Sequence, residues 1–303
     1  MPARAAGYRL LGGGLDYLLH LRPAEWPIMA AHTSLGYLLA VRFEGLIEGR
    51  HAGAFGAGLA LWVLCLNGGT LAINSAFDRD TADIAYLRRP PPPPPGLFRF
   101  GLALMAAGQL GAFLLGWRFA AAYGFCFLLS VLYSVPPARL KAVAGADWLI
   151  NLVGFGAMTP LAGWLSTGLP LRAPETMAML AFAPLFAAFY PLTQLYQLED
   201  DRHRGDRTFA LALGARRSLA VALGATFMAF AALAAAGAAA GWNVAAPGRW
   251  ALIGTALAGW LAVLLPWHRR AETMTPREHE RGMYRALAAW GLTDIAVVIS
   301  WLA

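Results

Sequence analysis

An all-α, polytopic membrane protein is the fold class this sequence predicts, and three observations predict it. Hydrophobic residues fill 58% of the 303 positions and charged residues only 14%, against about 45–50% and about 25% in soluble domains. Apolar runs recur along the chain, each near the roughly 20 residues that a helix needs to cross a bilayer. Arg is dense in alternate loops and sparse in the others. Nine spans would use about 180 residues. That leaves too little polar sequence for a soluble domain on a single anchor, so one membrane domain over 1–303 is expected. The two cysteines, Cys65 and Cys126, lie inside apolar runs, which excludes a disulfide scaffold.

Taken in order, residues 1–23 mix Arg4, Arg9, Asp16, His20 and Arg22 with apolar residues. They contain no continuous apolar core of the kind a signal peptide has. Spans are then expected at 24–41, 53–74, 97–116, 119–135, 147–167, 177–196, 218–241, 250–267 and 284–302. The second carries Gly56, Gly58, Gly68 and Gly69, small residues that suit close helix crossing in lipid.

Of the 24 basic residues, 23 are Arg and one is Lys141. Counted by alternate loops, 19 fall on the side of the N-terminus. The other five are Arg42, Arg50, Arg118, Arg172 and Arg249. The positive-inside rule then puts the N-terminus in the cytoplasm and predicts a multi-pass protein of the plasma membrane. Basic charge spread over alternate loops is a signature of the lipid bilayer as partner and argues against nucleic acid.

The acidic residues are clustered. Asp78, Asp80 and Asp83 follow span two, and Glu199, Asp200, Asp201 and Asp206 follow span six. Carboxylates beside lipid cost desolvation energy, so such clusters usually serve a cation or a substrate. Asn74 and Asp78 are four apart and share a helical face, and an amide oxygen with a carboxylate is hard-oxygen ligation suited to Mg²⁺. After span six, Gln194, Gln197 and Asp201 are spaced to share one face if the helix continues. Between these loops, Tyr133-Ser134-Val135-Pro136-Pro137 ends span four, and Arg139 and Lys141 follow, well placed for phosphate oxygens. Acidic, basic and acidic loop ends on one side of an apolar bundle suggest a metal-bound diphosphate with a greasy tail.

These motifs resemble those of the UbiA superfamily of intramembrane prenyltransferases. Asn74 and Asp78, with Arg89-Pro90 further on, follow its first aspartate-rich motif. Tyr133 to Lys141 resembles its Tyr-Ser-x-Pro-Pro stretch. Leu21-Arg22-Pro23 with Trp26-Pro27 resembles its N-terminal entry, and Gln194, Gln197, Asp201, Arg202 and Gly205 resemble its second motif. The resemblance implies a bundle of about nine helices around a central cavity. It also implies Mg²⁺-dependent transfer from a prenyl diphosphate to a lipophilic acceptor of quinone-precursor, tetrapyrrole or carotenoid type. Asn74, Asp78, Asp201 and Lys141 would be the catalytic residues. Asn74, Asp78, Asp83, Gln197 and Asp201 would hold metal, and Arg88, Arg89, Tyr133, Arg139, Lys141 and Arg202 would bind diphosphate.

The chain departs from the family pattern in three places. Ser75 stands where an Asp is usual, Ala82 replaces the third Asp of the first motif, and Gln194 and Gln197 replace two Asp of the second. Asp83 is displaced about 140° around a helix from Asp78. These changes leave open the number of metal ions, and with it two other outcomes: a terpene cyclase on the same fold, or a lipid-binding or transport protein without catalysis. Six consecutive prolines, Pro90 to Pro95, make a stiff segment of about 19 Å. It serves either as a linker or as a lid edge holding Arg88 and Arg89 over the diphosphate.

Overall fold

The structure is a computed structural model that describes residues 2–78, 87–245 and 247–302. Two short N-terminal helices, α1 (Pro2–Leu11) and α2 (Gly14–His20), precede α3 (Trp26–Ile47). Then come α4 (Ala52–Asp78), α5 (Leu97–Leu115), α6 (Trp117–Ser134), α7 (Ala146–Leu165) and α8 (Ala173–Gln194). Two short helices, α9 (Leu198–Arg204) and α10 (Phe209–Leu213), lead into α11 (Ala215–Ala239), α12 (Gly248–Arg270) and α13 (Pro276–Leu302). The described residues hold no strand; Val143 and Arg207 form an isolated bridge.

Among the described residues eight helices, α4 to α8 and α11 to α13, are long and apolar enough to cross a membrane. They coincide with the second to ninth expected spans. The first expected span falls on α3, which has 22 residues but carries His32, Thr33, Ser34 and Arg42. Neighbouring helices satisfy two of these. His32 Nδ1 lies 3.1 Å from Asp294 Oδ1 on α13, and Arg42 reaches Glu175 on α8 at 2.7 Å. Arg42 also takes φ 57°, a left-handed conformation that interrupts α3. Large apolar side chains such as Leu110, Leu114, Trp117, Met228 and Ile295 face outward, as an integral membrane protein requires.

Lipid tails are as apolar as Leu, so helix association in a membrane rests on close packing rather than on escape from water. Glycines make the tightest crossings here. A Cβ on Gly36 of α3 would overlap the Pro160 carbonyl oxygen of α7, and one on Gly163 of α7 would overlap that of Thr33. Of the four glycines in the second expected span, Gly69 meets Met105 and Gly101 of α5, Gly58 meets Ser166, Gly68 meets Leu21, and Gly56 faces open space. The largest fully buried side chains are Trp164, Trp260, Tyr123, Phe119 and Phe182.

Two spans leave α-geometry part-way along. Residues Ala60–Asn67 of α4 and Leu152–Met158 of α7 are π-helical, a form that concentrates at functional sites. Trp62 Nε1 of the first stretch hydrogen-bonds Thr159 Oγ1 just beyond the second, at 3.5 Å.

The polyproline segment is clasped by the N-terminal helices. Tyr17 Oη donates to the Pro95 carbonyl at 2.5 Å, His20 Nε2 lies 3.1 Å from the Pro91 carbonyl, and Arg4 donates to the Arg89 carbonyl at 2.8 Å. Proline lacks an N–H, and these contacts use the carbonyls that remain.

Candidate active site

Five stretches of chain converge at one end of the bundle. The ends of α4, α6 and α8 bring Asn74, Asp78, Tyr133, Tyr190, Thr193 and Gln194. The loop after α6 brings Lys141, and the segment from 197 to 208 brings Gln197, Asp201, Asp206 and Thr208. Together they line a polar cavity of about 150 Å³. A second cavity, of about 160 Å³, continues into the bundle between Trp62, Leu66, Leu129, Ile150, Gly154 and Phe155. Asn74 and Tyr133 line both, so a polar chamber and an apolar one meet at these two side chains. Both π-helical stretches contribute to the apolar wall.

The first acidic arm is one turn of helix. Asn74 and Asp78 project together from the end of α4, as their spacing requires. Opposite them, α6 stops at Ser134, because Val135 before the proline pair is extended. The chain then turns through Arg139 in a left-handed conformation, φ 36°. This turn carries Lys141 inward, where it is buried. Its ammonium donates to Asn74 Oδ1 at 2.7 Å and pairs with the Asp78 carboxylate. Arg139 pairs with Asp206 at 2.8 Å and with Asp78 at 3.5 Å. Burial pushes the Lys141 ammonium below the ordinary lysine pKa, and the Asp78 carboxylate opposes that shift.

The second acidic arm is not the continuous helix that its spacing predicts. α8 ends at Gln194, a turn follows, and α9 starts at Leu198. Gln197 and Asp201 still face the polar cavity, from the turn and from α9. Contacts from across the fold hold the end of α8 at this break. The Gln194 amide is occupied at both ends, its Nε2 donating to Asp147 Oδ2 and its Oε1 accepting from Ala210 N, each at 2.9 Å. Asp147, fully buried on α7, also accepts from the backbone N–H groups of Gly145 and Phe209. One carboxylate therefore ties the Lys141 loop, the end of α8 and the start of α10 together. Gly205 in a left-handed conformation ends α9. The chain beyond it returns Asp206 toward Arg139, and Thr208 Oγ1 donates to Asp201 Oδ2 at 3.0 Å.

Of the residues singled out from sequence, Asn74, Asp78, Tyr133, Lys141, Gln197 and Asp201 line one cavity, and Arg139 pairs with two of its carboxylates. Arg88, Arg89 and Arg202 are not among the lining residues. Arg88 and Arg89 are exposed, and Arg202 is an exposed partner of Glu199 at 2.6 Å. Glu199 also faces solvent and does not replace the missing carboxylates. Asp80, Ala82 and Asp83 lie outside the described residues.

Asp206 is expected only as part of its acidic cluster, and Thr193, Thr208, Tyr190 and Asp147 carry no site expectation from sequence. Asp147 had a readable signal, a lone carboxylate at the head of an apolar run, and such residues are functional by default in a membrane span. Tyr190 had none, since an aromatic in an apolar span reads as packing. Its hydroxyl lies 2.9 Å from that of Tyr133.

The side chains present suit a hard divalent cation. The polar cavity offers oxygens from Asn74, Asp78, Gln197, Asp201 and Asp206, the ligand chemistry of Mg²⁺. Among the described residues no three His, Cys, Asp or Glu side chains converge tightly enough to enclose a metal alone. The Lys141 ammonium lies against both Asn74 and Asp78.

Similar folds are known. A UbiA homolog from Archaeoglobus fulgidus, bound to GPP and Mg²⁺, superposes with a TM-score of 0.63 at 18% identity, over 94% of this chain and 99% of that one. A UbiA homolog from Aeropyrum pernix K1, without ligand, gives 0.61 at 18% identity, over 91% and 97%. A structure described for digeranylgeranylglyceryl phosphate synthase gives 0.66 at 15% identity, over 95% and 98%. No curated protein matches the chain in sequence. The profile of the UbiA prenyltransferase family matches residues 29–287. The chain belongs to the UbiA prenyltransferase family, whose members are prenyltransferases.

Proposed function

We propose that this protein transfers a prenyl group from a prenyl diphosphate to a lipophilic acceptor within the membrane. The observation that carries the reading is the junction at Asn74 and Tyr133 of an oxygen-rich, cation-bearing chamber with an apolar one. A prenyl diphosphate has the same two-part chemistry. The Archaeoglobus homologs bound to GPP or DMAPP with Mg²⁺ support it from the family side. One domain over 1–303, with the polar chamber opening to the cytoplasm and the chain in the plasma membrane, is part of the proposal.

Mg²⁺, held by Asn74, Asp78, Gln197 and Asp201 with Asp83 from the first motif, would neutralise the diphosphate and make it a better leaving group. Lys141 and Arg139 then pair with phosphate oxygens, where fixed positive charge stabilises the departing anion. The Tyr133 hydroxyl, at the chamber junction, donates to the bridging region of the substrate. When the bond from carbon to diphosphate oxygen breaks, its electron pair leaves with the diphosphate. The apolar walls keep water from the allylic cation. The acceptor bonds to that carbon and gives up a proton.

The test is mass spectrometry of products from membranes containing the protein, fed prenyl diphosphates of increasing length with Mg²⁺. A prenylated acceptor supports transfer. A free cyclic hydrocarbon supports the cyclase reading, which the uncharged Gln194 and Gln197 of the second arm favour. Release of no diphosphate from any donor overturns both.

A further inference from the structure

The polar chamber already contains the cation its first arm is built to hold. The Lys141 ammonium sits on Asn74 Oδ1 and the Asp78 carboxylate, and Asn74 also lines the apolar cavity. Arg139 pairs with Asp78 and Asp206, and on the far side Thr208 donates to Asp201. A divalent cation arriving alone at Asn74 and Asp78 has to displace Lys141. The displaced ammonium is buried, and it would be left close to a dication without its carboxylate. An unpaired buried charge is strongly unfavourable, and like charges at short range add to the cost. A diphosphate removes both difficulties. Its oxygens give Lys141 and Arg139 new partners, so Asp78 and Asn74 are released to the metal as the basic residues move to phosphate.

We propose that Lys141 keeps the cation seat closed until a diphosphate arrives, so that the site takes up a metal–diphosphate complex and excludes the free divalent cation. The inference rests on the diphosphate reading above and adds an order of binding to it. Metal and diphosphate must then each tighten the binding of the other by the same factor, because linkage is reciprocal.

The experiment uses the purified full chain in detergent, with Mn²⁺ as the metal probe. Free Mn²⁺ is followed by electron paramagnetic resonance and retention of labelled pyrophosphate by equilibrium dialysis. In the wild type, Mn²⁺ alone is expected to bind weakly, and pyrophosphate to tighten it about tenfold or more. Lys141→Met removes the charge and keeps the bulk, and is expected to bind Mn²⁺ alone about tenfold more tightly than the wild type while losing most of the coupling. Lys141→Arg keeps a cation in the seat and is expected to bind Mn²⁺ alone as weakly as the wild type.

Mn²⁺ affinity that is equal or lower in Lys141→Met overturns the proposal and leaves Lys141 as a phosphate anchor. If Lys141→Met does not fold, the wild type alone decides, and tight Mn²⁺ binding without pyrophosphate overturns the proposal. Failure of the wild type to retain pyrophosphate with Mn²⁺ present counts against the proposed function. The comparison of wild type and Lys141→Met in Mn²⁺ alone still reads the seat.

Discussion

The two acidic arms look alike in sequence and do different work in the structure. The first, Asn74 and Asp78, is a single helical turn whose oxygens face a cavity and hold a lysine. The second begins with Gln194, whose amide is consumed in holding Asp147 and the start of α10. Gln194 lines the cavity with its amide already spent, and Gln197 and Asp201 of that arm, with Asp206 beyond it, complete that side of the wall. Charge that the family motif leads one to expect at 194 is found instead at Asp147, on another helix and behind the cavity wall. A residue at a motif position can thus act as a strut, its side chain spent on holding neighbouring segments.

The largest effect that would break this contrast comes from the first arm. Asp78→Ala removes a cavity carboxylate and leaves Lys141 without its counter-ion. Diphosphate release in membranes is expected to fall about a thousandfold or more, because electrostatic groups of this kind carry that much of a barrier. Activity near wild type would remove Asp78 from the site.

The second arm predicts a different pattern, loss followed by rescue. Asp147→Asn sets donor against donor at Gln194, and Gln194→Glu sets carboxylate against carboxylate. Each is expected to lower activity and thermal stability together. The double variant restores a donor–acceptor pair, and a coupling of about 1–3 kcal/mol in its favour is expected. Additive losses in the melting temperatures of the four proteins would show that the two side chains act independently.

A smaller change tests whether Asp201 depends on its support. Thr208→Val removes the hydroxyl that donates to Asp201. A net hydrogen bond to a charged group contributes about 1.5–3 kcal/mol, so the Mg²⁺ needed for half-maximal activity should rise by about tenfold. An unchanged Mg²⁺ requirement would place Asp201 outside the metal shell. The smallest effect is expected at Arg202, whose exposed pair with Glu199 is of a type worth little. Arg202→Gln should keep activity within about twofold, and a large loss would return Arg202 to the diphosphate set that the motif assigns it.

Much of this was legible in the sequence, for physical reasons. Spans are long and apolar, and eight of the nine expected lie on helices of crossing length. The first lies on α3, long enough but less apolar, where His32 and Arg42 find partners on α13 and α8, and a hydropathy pattern does not see partners. Asn74, Asp78, Tyr133 and Lys141 were readable because helix periodicity and a proline stop act locally. The turn at 195–197 was not, since it follows from Gln194 meeting Asp147 and Ala210 across the fold. Arg88 and Arg89 read as a diphosphate clamp, yet the clasp formed by α1 and α2 uses their carbonyls and those of the prolines. That use of backbone oxygen leaves no trace in residue type.

The central claim is that the polar chamber takes the diphosphate and the apolar chamber takes the chain. The most direct measurement is an experimental structure with Mg²⁺ and a non-cleavable prenyl thiolodiphosphate. The account predicts the headgroup among Asn74, Asp78, Gln197 and Asp201, with Lys141 and Arg139 on its oxygens and the tail passing Asn74 and Tyr133 toward Trp62 and Phe155. A headgroup bound instead at Arg88, Arg89 or Arg202, or a tail outside the π-helical walls, would contradict it.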